Sequence, residues 1–262
     1  MKSLFKIAIT SAAIGLMLAA GDASAVPSAS AAQIPATVVL VHGAFADGSA
    51  WDKVVPLLQA RGLKVVSVQN PLSSLADDVA VTRRALDAQT GPVVLVGHSW
   101  AGMVITEAGE DERVKALVYV AAFAPDEGQS AVDLSKDYPK SEGSKYFVAD
   151  KQGFVTMTAE GIAKQLAQDV PAAQTNLMAV SQGAVRGANF EEKATHAAWK
   201  SRPSWFIVST QDHMIQPALE QAMAKNIGAT VVSLPASHVP QVSHPKAVAD
   251  AIIAAAAAAA AR

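Results

Sequence analysis

The chain has 262 residues, of which 51% are hydrophobic and 17% charged, and its formal net charge at pH 7 is −2. That length accommodates one α/β domain with a substantial core. A charge so close to zero, without a basic stretch interleaved with aromatic residues, argues against a nucleic-acid partner. The chain has no cysteine and no Cys/His cluster, so we expect no metal and no cofactor.

The first 25 residues have the pattern of a signal peptide. Lys2 and Lys6 form a short positive region, residues 7–20 are apolar or small, and Ala-Ser-Ala at 23–25 resembles a cleavage site. A membrane anchor is the alternative, but the apolar run of roughly 14 residues is shorter than the ~20 that span a bilayer. We therefore expect cleavage before Val26 and an exported bacterial protein, periplasmic or secreted, without stable membrane association.

Further along the chain, apolar strand-like runs alternate with amphipathic helical stretches. The predicted strands are residues 37–41, 64–68, 92–96, 114–122, 204–209 and 230–234. The predicted helices are residues 51–61, 75–88, 100–108, 217–226 and a last one from Pro245 into the alanine run 254–261. Uniformly apolar strands separated by helices predict a mostly parallel sheet of about six strands with helices on both faces.

Residues 123–200 interrupt this alternation. They contain polar stretches, a small hairpin predicted around residues 150–153, and helical runs at 159–168 and 172–182. About 75 residues is too long for a loop inside a compact domain, so we interpret the segment as a helical cap insertion. The expected α/β core is then residues 26–122 and 201–262, with residues 123–200 as its cap or lid.

A candidate nucleophile lies at the end of the predicted strand 92–96. The strand runs into Gly-His-Ser-Trp-Ala at residues 97–101, and a helix follows. Small residues two positions before and after Ser99 allow a tight strand–turn–helix, whose apex presents the serine hydroxyl above a helix N-terminus. Ser99 is therefore the first residue of a predicted catalytic site.

Two further polar residues follow later strands, at the edge where parallel α/β sheets place their sites. Asp212 comes three residues after the strand 204–209, and His238 comes four residues after the strand 230–234. A serine hydroxyl needs a base to take its proton, and an imidazole base needs a carboxylate to fix its tautomer. The order Ser99, Asp212, His238 thus predicts a nucleophile, an acid and a base.

The same chemistry requires preorganised N–H donors for the oxyanion of a tetrahedral intermediate. His42 and Gly43 directly follow the first strand, where a second donor is expected. We assign the two donors to the backbone N–H groups of Ala44 and Trp100, the latter at the start of a helix.

These motifs carry a resemblance to the α/β-hydrolase superfamily over essentially the whole mature chain, and in particular to the small esterase-like branch of plant methylesterases and hydroxynitrile lyases. The motifs are Val-His-Gly-Ala at 41–44, Gly-His-Ser-Trp-Ala-Gly at 97–102, Thr-Gln-Asp-His at 210–213 and Ala-Ser-His-Val-Pro at 236–240. The resemblance implies Ser99 as nucleophile, His238 as base, Asp212 as acid, and the residue after His42-Gly43 as an oxyanion donor.

The chain also departs from this family pattern. Ala101 replaces the usual glycine after the nucleophile, a change that we expect to be tolerated. Val239 stands where hydroxynitrile lyases have a lysine, and Gly43 stands where they have a threonine, so both argue against cyanohydrin cleavage. Ser99 in place of an aspartate argues against dehalogenation and epoxide opening.

Alternatives stay open for two of the roles. Asp126, just past the strand 114–122, is a rival acid, and His244, beside Pro245, is a rival base. The other histidines are interpreted as structural, loop or surface residues: His42, His98, His196 and His213.

The predicted substrate-binding residues are Phe45, Trp100, Met157 and Met178. Phe45 and Trp100 are placed near the nucleophile, with core packing as the alternative. Met157 and Met178 belong to the cap and form either an apolar substrate pocket or the core of the cap itself.

The function expected from these residues is hydrolysis of small or medium carboxylic esters, with lactones as a further substrate class, through an acyl-enzyme intermediate. Two alternatives accompany it. One is a cofactor-free perhydrolase or oxygenase-type member of the same fold, and the other is a non-catalytic protein that binds a small ligand.

Overall fold

The computed structural model describes residues 36–260, and the predicted signal peptide at residues 1–25 lies outside them. The described strands are β1 (Thr37–Val41), β2 (Lys64–Val68), β3 (Val93–His98), β4 (Val114–Val120), β5 (Phe147–Ala149), β6 (Phe154–Met157), β7 (Val185–Arg186), β8 (Ser204–Ser209) and β9 (Thr230–Leu234). Six of them form one sheet in the order β2-β1-β3-β4-β8-β9. Every neighbouring pair in that sheet is parallel, which confirms the predicted topology.

The central strands are apolar on both faces because helices cover both sides of the sheet. Every residue of β1 and β3 is buried, whereas the edge strands β2 and β9 keep exposed positions. Alternate residues of β1 point to opposite faces. Val39 and Val41 pack in one cluster of buried side chains, and Val38 and Leu40 pack in the other.

The helices are α1 (Val55–Gln59), α2 (Leu75–Asp87), α3 (Ala101–Ala108), α4 (Ala131–Ser135), α5 (Ala159–Gly161), α6 (Ala172–Ser181), α7 (Pro217–Asn226), α8 (Pro240–Ser243) and α9 (Pro245–Ala260). Side chains of α2, α3 and α7 contribute to the first cluster, and those of α1 and α9 to the second. Ala255, Ala256 and Ala259 of the alanine run are buried against the sheet, so this run is part of the core. Within residues 36–260, no helix combines the length and apolar character needed to span a membrane.

One predicted helix is wrong at its start. Residues 51–61 were expected to be helical throughout, but the α-helix covers only Val55–Gln59. Gly48–Trp51 instead form a 3-10 helix, and the Asp47 carboxylate caps it by accepting a hydrogen bond of 2.7 Å from Ser49 N. Pro56 lies in the first turn of α1, the position that a residue without an N–H group occupies at least cost.

Residues 123–200 contain more strand than the sequence indicated. The predicted hairpin is present, since β5 and β6 pair antiparallel around residues 150–153, and β7 adds a third strand to this small sheet. The predicted helix at 159–168 is a short α-helical turn followed by a π-helical turn at Ile162–Leu166. The predicted helix at 172–182 is α6. The division of the chain into a core and a cap stays a prediction.

Candidate active site

The turn between β3 and α3 holds Ser99 in an uncommon backbone conformation. Its φ of 55° lies in the left-handed region, which serine seldom adopts. Two tight contacts enforce the turn. A Cβ atom on Gly97 would lie 2.6 Å from the carbonyl oxygen of Ala101, and one on Gly102 would lie 1.9 Å from that of Phe123. Only glycine at both positions allows the strand, the helix and the end of β4 to approach this closely.

Ser99, His238 and Asp212, which lie far apart in the sequence, form one hydrogen-bonded chain. Ser99 Oγ lies 2.7 Å from His238 Nε2, and His238 Nδ1 lies 2.5 Å from Asp212 Oδ2. The three residues are 8%, 2% and 3% exposed. With Nδ1–H donating to the carboxylate, Nε2 is free to accept the serine proton, the arrangement that general-base activation of a hydroxyl requires.

Asp212 carries the negative charge of these three hydrogen-bonded residues. Its Oδ1 accepts hydrogen bonds from the backbone N–H groups of Met214 (2.6 Å) and Ile215 (2.9 Å). Burial by itself disfavours the ionised form, but His238 and the N–H donors outweigh it, so the pKa of Asp212 lies below its ordinary value. The carboxylate therefore stays ionised behind the imidazole.

The two histidines interpreted as structural both anchor the site. His98 Nε2–H donates a hydrogen bond of 2.8 Å to the carbonyl oxygen of His238, and the two rings lie 4.9 Å apart. Complete burial, together with the proximity of His238, lowers the pKa of His98 to about 3, so its ring stays neutral. His42 Nε2 accepts a hydrogen bond of 2.9 Å from Asn70 N, and burial lowers its pKa also.

The loop after β1 lies directly against the serine turn. A Cβ atom on Gly43 would lie 2.8 Å from both the carbonyl oxygen of His98 and Cβ of Ser99. This contact places Ala44, the next residue, close to the nucleophile. Within residues 36–260, the backbone N–H groups of Ala44 and Trp100 donate no hydrogen bond to the protein, as donors reserved for a ligand oxygen would.

Asp126, the alternative acid, and His244, the alternative base, make other contacts. Asp126 forms an ion pair of 2.6 Å with Lys200 near the surface, and hydrogen bonds link it to its own loop. His244 is hydrogen-bonded to Ser243 and lies 3.9 Å from Asp169. Neither has a hydrogen bond to Ser99 or His238 in the described part of the chain.

The other two histidines make local contacts. His213 lies 3.0 Å from the Gln165 side chain and is exposed. His196 is exposed, as predicted, and its Nδ1 lies 3.0 Å from the carboxylate of Glu107.

The four predicted substrate-binding residues lie in different surroundings. Phe45 is 4% exposed and contacts Phe147, with 4.9 Å between ring centroids. Met157 is 2% exposed, and Met178 is partly buried. The Trp100 side chain is fully buried and donates a hydrogen bond through its indole N–H. Their role in substrate binding stays a prediction.

A largely apolar cavity of about 530 Å³ lies next to these residues. Three of its aromatic lining residues are linked to the site. Phe123 donates a backbone hydrogen bond to Ser99 O, Phe147 contacts Phe45, and Phe190 packs edge-on against Trp100. Met214 and Ile215, the residues that donate to Asp212, also line it. Ser99, Asp212 and His238 are not among the residues that line this cavity, which adjoins the site only through these contacts.

Sequence reasoning missed two buried carboxyl groups behind the site. Asp78 accepts hydrogen bonds from Trp100 Nε1 and Leu72 N, both at 2.8 Å. Glu220 accepts one of 3.0 Å from Ser209 N, and its burial, with Asp212 nearby, raises its pKa well above the ordinary value. Both are acidic residues inside helices, and a sequence pattern gives such positions no sign of burial. Among residues 36–260, no group of three or more His, Asp and Glu side chains is arranged to hold a metal ion.

A parallel sheet with the order 2-1-3-4-8-9, a serine on a strained strand–helix turn, and a carboxylate and histidine after the last two strands together define an α/β hydrolase. The chain belongs to the alpha/beta hydrolase family, whose model matches residues 38–251.

Curated relatives place it in the esterase-like branch. Methylesterase 8 of Arabidopsis thaliana is 27% identical over 72% of this chain and 76% of that protein. The pyrethroid hydrolase of Sphingobium wenxiniae is 28% identical over 82% of this chain and 85% of that protein. Among solved structures, a pyrethroid hydrolase from Sphingobium faniae superposes with a TM-score of 0.73 at 23% identity, covering 87% of this chain and 99% of that one. The relatives are hydrolases and esterases, in agreement with an enzyme of this class.

Proposed function

We propose that the protein is a serine hydrolase that cleaves small or medium carboxylic esters through an acyl-enzyme. The observation that carries the proposal is the buried hydrogen-bonded chain from Ser99 Oγ through His238 to Asp212. The names of two relatives support the proposal, because methylesterase denotes the cleavage of a methyl ester and pyrethroid hydrolase denotes a hydrolytic reaction.

In the proposed reaction, His238 Nε2 takes the Ser99 proton while Oγ attacks the ester carbonyl carbon. The oxyanion accepts hydrogen bonds from the N–H groups of Ala44 and Trp100, and Asp212 stabilises the imidazolium. His238 then protonates the leaving alcohol, which leaves an acyl group on Ser99. Water, deprotonated by the same histidine, attacks this acyl-enzyme and releases the acid.

The volume and the apolar lining of the cavity support the proposed substrate class. A largely apolar cavity of about 530 Å³ that adjoins the site favours esters with one medium-sized apolar group, and lactones of similar size also fit this description. We propose that residues 123–200, which supply Phe147 and Phe190 to its lining, act as the cap that limits substrate size.

The experiment that tests the proposal compares hydrolysis of 4-nitrophenyl acetate and butyrate by the wild type, Ser99→Ala and Ser201→Ala. Ser201 is a matched control, since its hydroxyl donates to Ala198 O and accepts from Arg202 Nη1, neither of which belongs to the proposed site. We expect both esters to be cleaved by the wild type and the control and not by Ser99→Ala. Equal hydrolysis by Ser99→Ala would contradict the proposal.

Two further measurements on the same proteins, of peracid formation and of ligand binding, separate the alternatives. Peracid formation from a carboxylic acid and hydrogen peroxide, faster than ester hydrolysis, would favour the perhydrolase. Ligand binding without turnover would favour a binding protein.

We also propose, from the pattern of residues 1–25, that the protein is exported across a bacterial inner membrane. Intact-mass analysis of the protein recovered from the periplasm or medium of a bacterial host tests this. The expected N-terminal residue is Val26, and recovery only of the uncleaved chain from the cytoplasm would contradict it.

A further inference from the structure

Glu220 is a fully buried carboxyl group directly behind the acid of the site. It lies in helix α7, which packs on β8, and its carboxyl group reaches the end of β8, three residues before Asp212. One oxygen, Oε2, accepts a hydrogen bond of 3.0 Å from the backbone N–H of Ser209, the last residue of β8. Within residues 36–260, no N–H or O–H group donates to the other oxygen, Oε1.

Glu220 and Asp212 both bond to the backbone of Ser209. The Ser209 N–H donates to Glu220 Oε2, and the Ser209 carbonyl oxygen accepts a hydrogen bond of 3.3 Å from Asp212 N. Two ionised carboxylates are unfavourable together in such a buried cluster, because both are acceptors and their charges repel. We therefore expect one of the two to hold a proton, and the buried Oε1 of Glu220, which has no partner within residues 36–260, is the oxygen placed to carry it.

The surrounding donors decide which group holds the proton. Asp212 receives two backbone N–H groups and faces the His238 ring, whereas Glu220 receives one N–H group. Burial, and then the adjacent Asp212, raises the pKa of Glu220 well above its ordinary value, while that of Asp212 is lowered. Asp212 is the titratable group that acts on Glu220, so the negative charge of the pair resides on Asp212.

We propose that Glu220 is a positioning residue whose protonated carboxyl group donates a hydrogen bond to Asp212 and thereby holds Asp212 against His238. Asp212 is then fixed from both sides, by the N–H groups of its own loop and by Glu220. The catalytic consequence rests on the proposed serine hydrolase function, but the proton on Glu220 and the hydrogen bond to Asp212 do not.

The proton can be detected without activity, by infrared spectroscopy of the C=O band of a protonated carboxyl group. At about pH 8 exposed carboxyl groups are ionised, so a remaining band belongs to a buried, protonated group. We expect this band in the wild type and in Ser99→Ala, and its loss in Glu220→Gln. Glu107→Gln is the matched control, since Glu107 is also buried but its pKa is lowered, so its loss leaves the band unchanged.

The positioning role is tested in the Ser99→Ala background by the low-field proton resonance of His238 Nδ1–H, which reports the hydrogen bond to Asp212. Glutamine can donate to Asp212 and accept from Ser209 as the protonated glutamate does, so Glu220→Gln retains the resonance. Leucine has a similar volume but donates nothing, so Glu220→Leu shifts the resonance upfield or broadens it.

Kinetics supply the third readout. We expect Glu220→Leu to lower kcat by about 10- to 100-fold with little change in KM, the range for one hydrogen bond to a charged group. Glu220→Gln should retain most of the wild-type kcat. In the pH profile of kcat/KM, the fall on the acid side should stay at the same pH, because this substitution removes no charge.

The outcomes separate the two proposals. If the wild type shows no C=O band of a protonated carboxyl group, Glu220 is ionised and this inference is overturned. The same holds if the acid side of the pH profile of kcat/KM moves to lower pH in Glu220→Gln. An unchanged His238 resonance in a folded Glu220→Leu protein overturns the positioning role. A wild type that cleaves no ester, with the band and the resonance as expected, overturns the serine hydrolase and supports the Glu220 hydrogen bond.

Discussion

Trp100 Nε1 donates a hydrogen bond of 2.8 Å to Oδ2 of Asp78, and both side chains are fully buried. Trp100 lies in the serine turn, where its backbone N–H is a proposed oxyanion donor. Because Asp78 lies in α2, the Trp100 side chain links this turn to that helix. Asp78 also accepts from Leu72 N at 2.8 Å, and Phe190 packs edge-on against the indole ring. The serine turn is thus tied through this side chain to a buried carboxyl group outside the site, a link that stabilises the fold.

The first prediction concerns Trp100→Phe. The change removes the indole donor and leaves the backbone N–H in place, so it should cost about 1–3 kcal/mol of unfolding free energy and leave kcat nearly unchanged. Trp51→Phe is the matched control, because Trp51 is also buried but its Nε1 has no hydrogen-bond partner within residues 36–260. Urea unfolding and ester kinetics measure both quantities. An equal loss of stability in the two variants would show that the Asp78 bond is not the cause.

The second prediction concerns pH. Burial raises the pKa of Asp78 to about 6, against the opposing hydrogen bonds from Trp100 and Leu72. A raised pKa means that its contribution to stability is complete below the unfolded value of 3.8 and is lost as pH rises through about 6. The stability advantage of the wild type over Asp78→Asn should therefore shrink, by up to about 3 kcal/mol, between pH 4 and pH 7.

The control for this pH effect is the neighbouring Asp77→Asn. Asp77 is exposed, and hydrogen bonds from Ser73 and Ser74 lower its pKa, so the sign is reversed. Its contribution is present above the unfolded pKa and is lost as pH falls. Unfolding curves at several pH values compare the two variants. A difference between wild type and Asp78→Asn that is constant with pH would contradict the burial of an ionisable Asp78.

The third prediction assigns the acid. Asp212→Asn should lower kcat by about 10³- to 10⁴-fold, because asparagine no longer holds the reactive histidine tautomer. Asp126→Asn should leave kcat within about twofold, because Asp126 is a surface partner of Lys200 whose replacement has little energetic effect. Steady-state kinetics on one 4-nitrophenyl ester decide between them. A large loss in Asp126→Asn with an active Asp212→Asn would reverse the assignment.

The fourth prediction concerns the loop after β1. Gly43→Ala places a Cβ atom 2.8 Å from the carbonyl oxygen of His98 and from Cβ of Ser99, so the loop must shift. Displacing one oxyanion donor should lower kcat by about 10²- to 10³-fold with a smaller effect on KM.

Gly91→Ala is the control for this substitution, because a Cβ atom there meets no atom within 4 Å. Its kinetics should match those of the wild type. Wild-type turnover in Gly43→Ala would mean that the close contact between the loop and the serine turn is not needed for catalysis.

Sequence patterns predicted the sheet and the positions of Ser99, Asp212 and His238 because these depend on local signals. Apolar runs mark buried strands, and polar residues just after them meet at one edge of a parallel sheet. Helix α7 was predicted with correct bounds, since Pro217 marks its first turn and Gly228, with a φ of 62°, follows its end.

The remaining features depend on tertiary packing, which no local pattern encodes. Asp78 and Glu220 are acidic residues in amphipathic helices, where an exposed position is the usual expectation. Asp78 is buried against Trp100, and Glu220 is buried against Ser209, so both positions depend on residues in other elements of the fold. The strand β7 has two residues, and its strand conformation depends on antiparallel pairing with β6.

The central claim is that Ser99 is the nucleophile, and covalent labelling tests it most directly. The wild type, Ser99→Ala and Ser201→Ala are treated with an alkyl phosphonate that reacts with activated serines, and intact and peptide masses are measured. We predict one adduct, on Ser99, in the wild type and in Ser201→Ala, and no adduct in Ser99→Ala. An unlabelled wild type, or an adduct that persists in Ser99→Ala, would contradict the account.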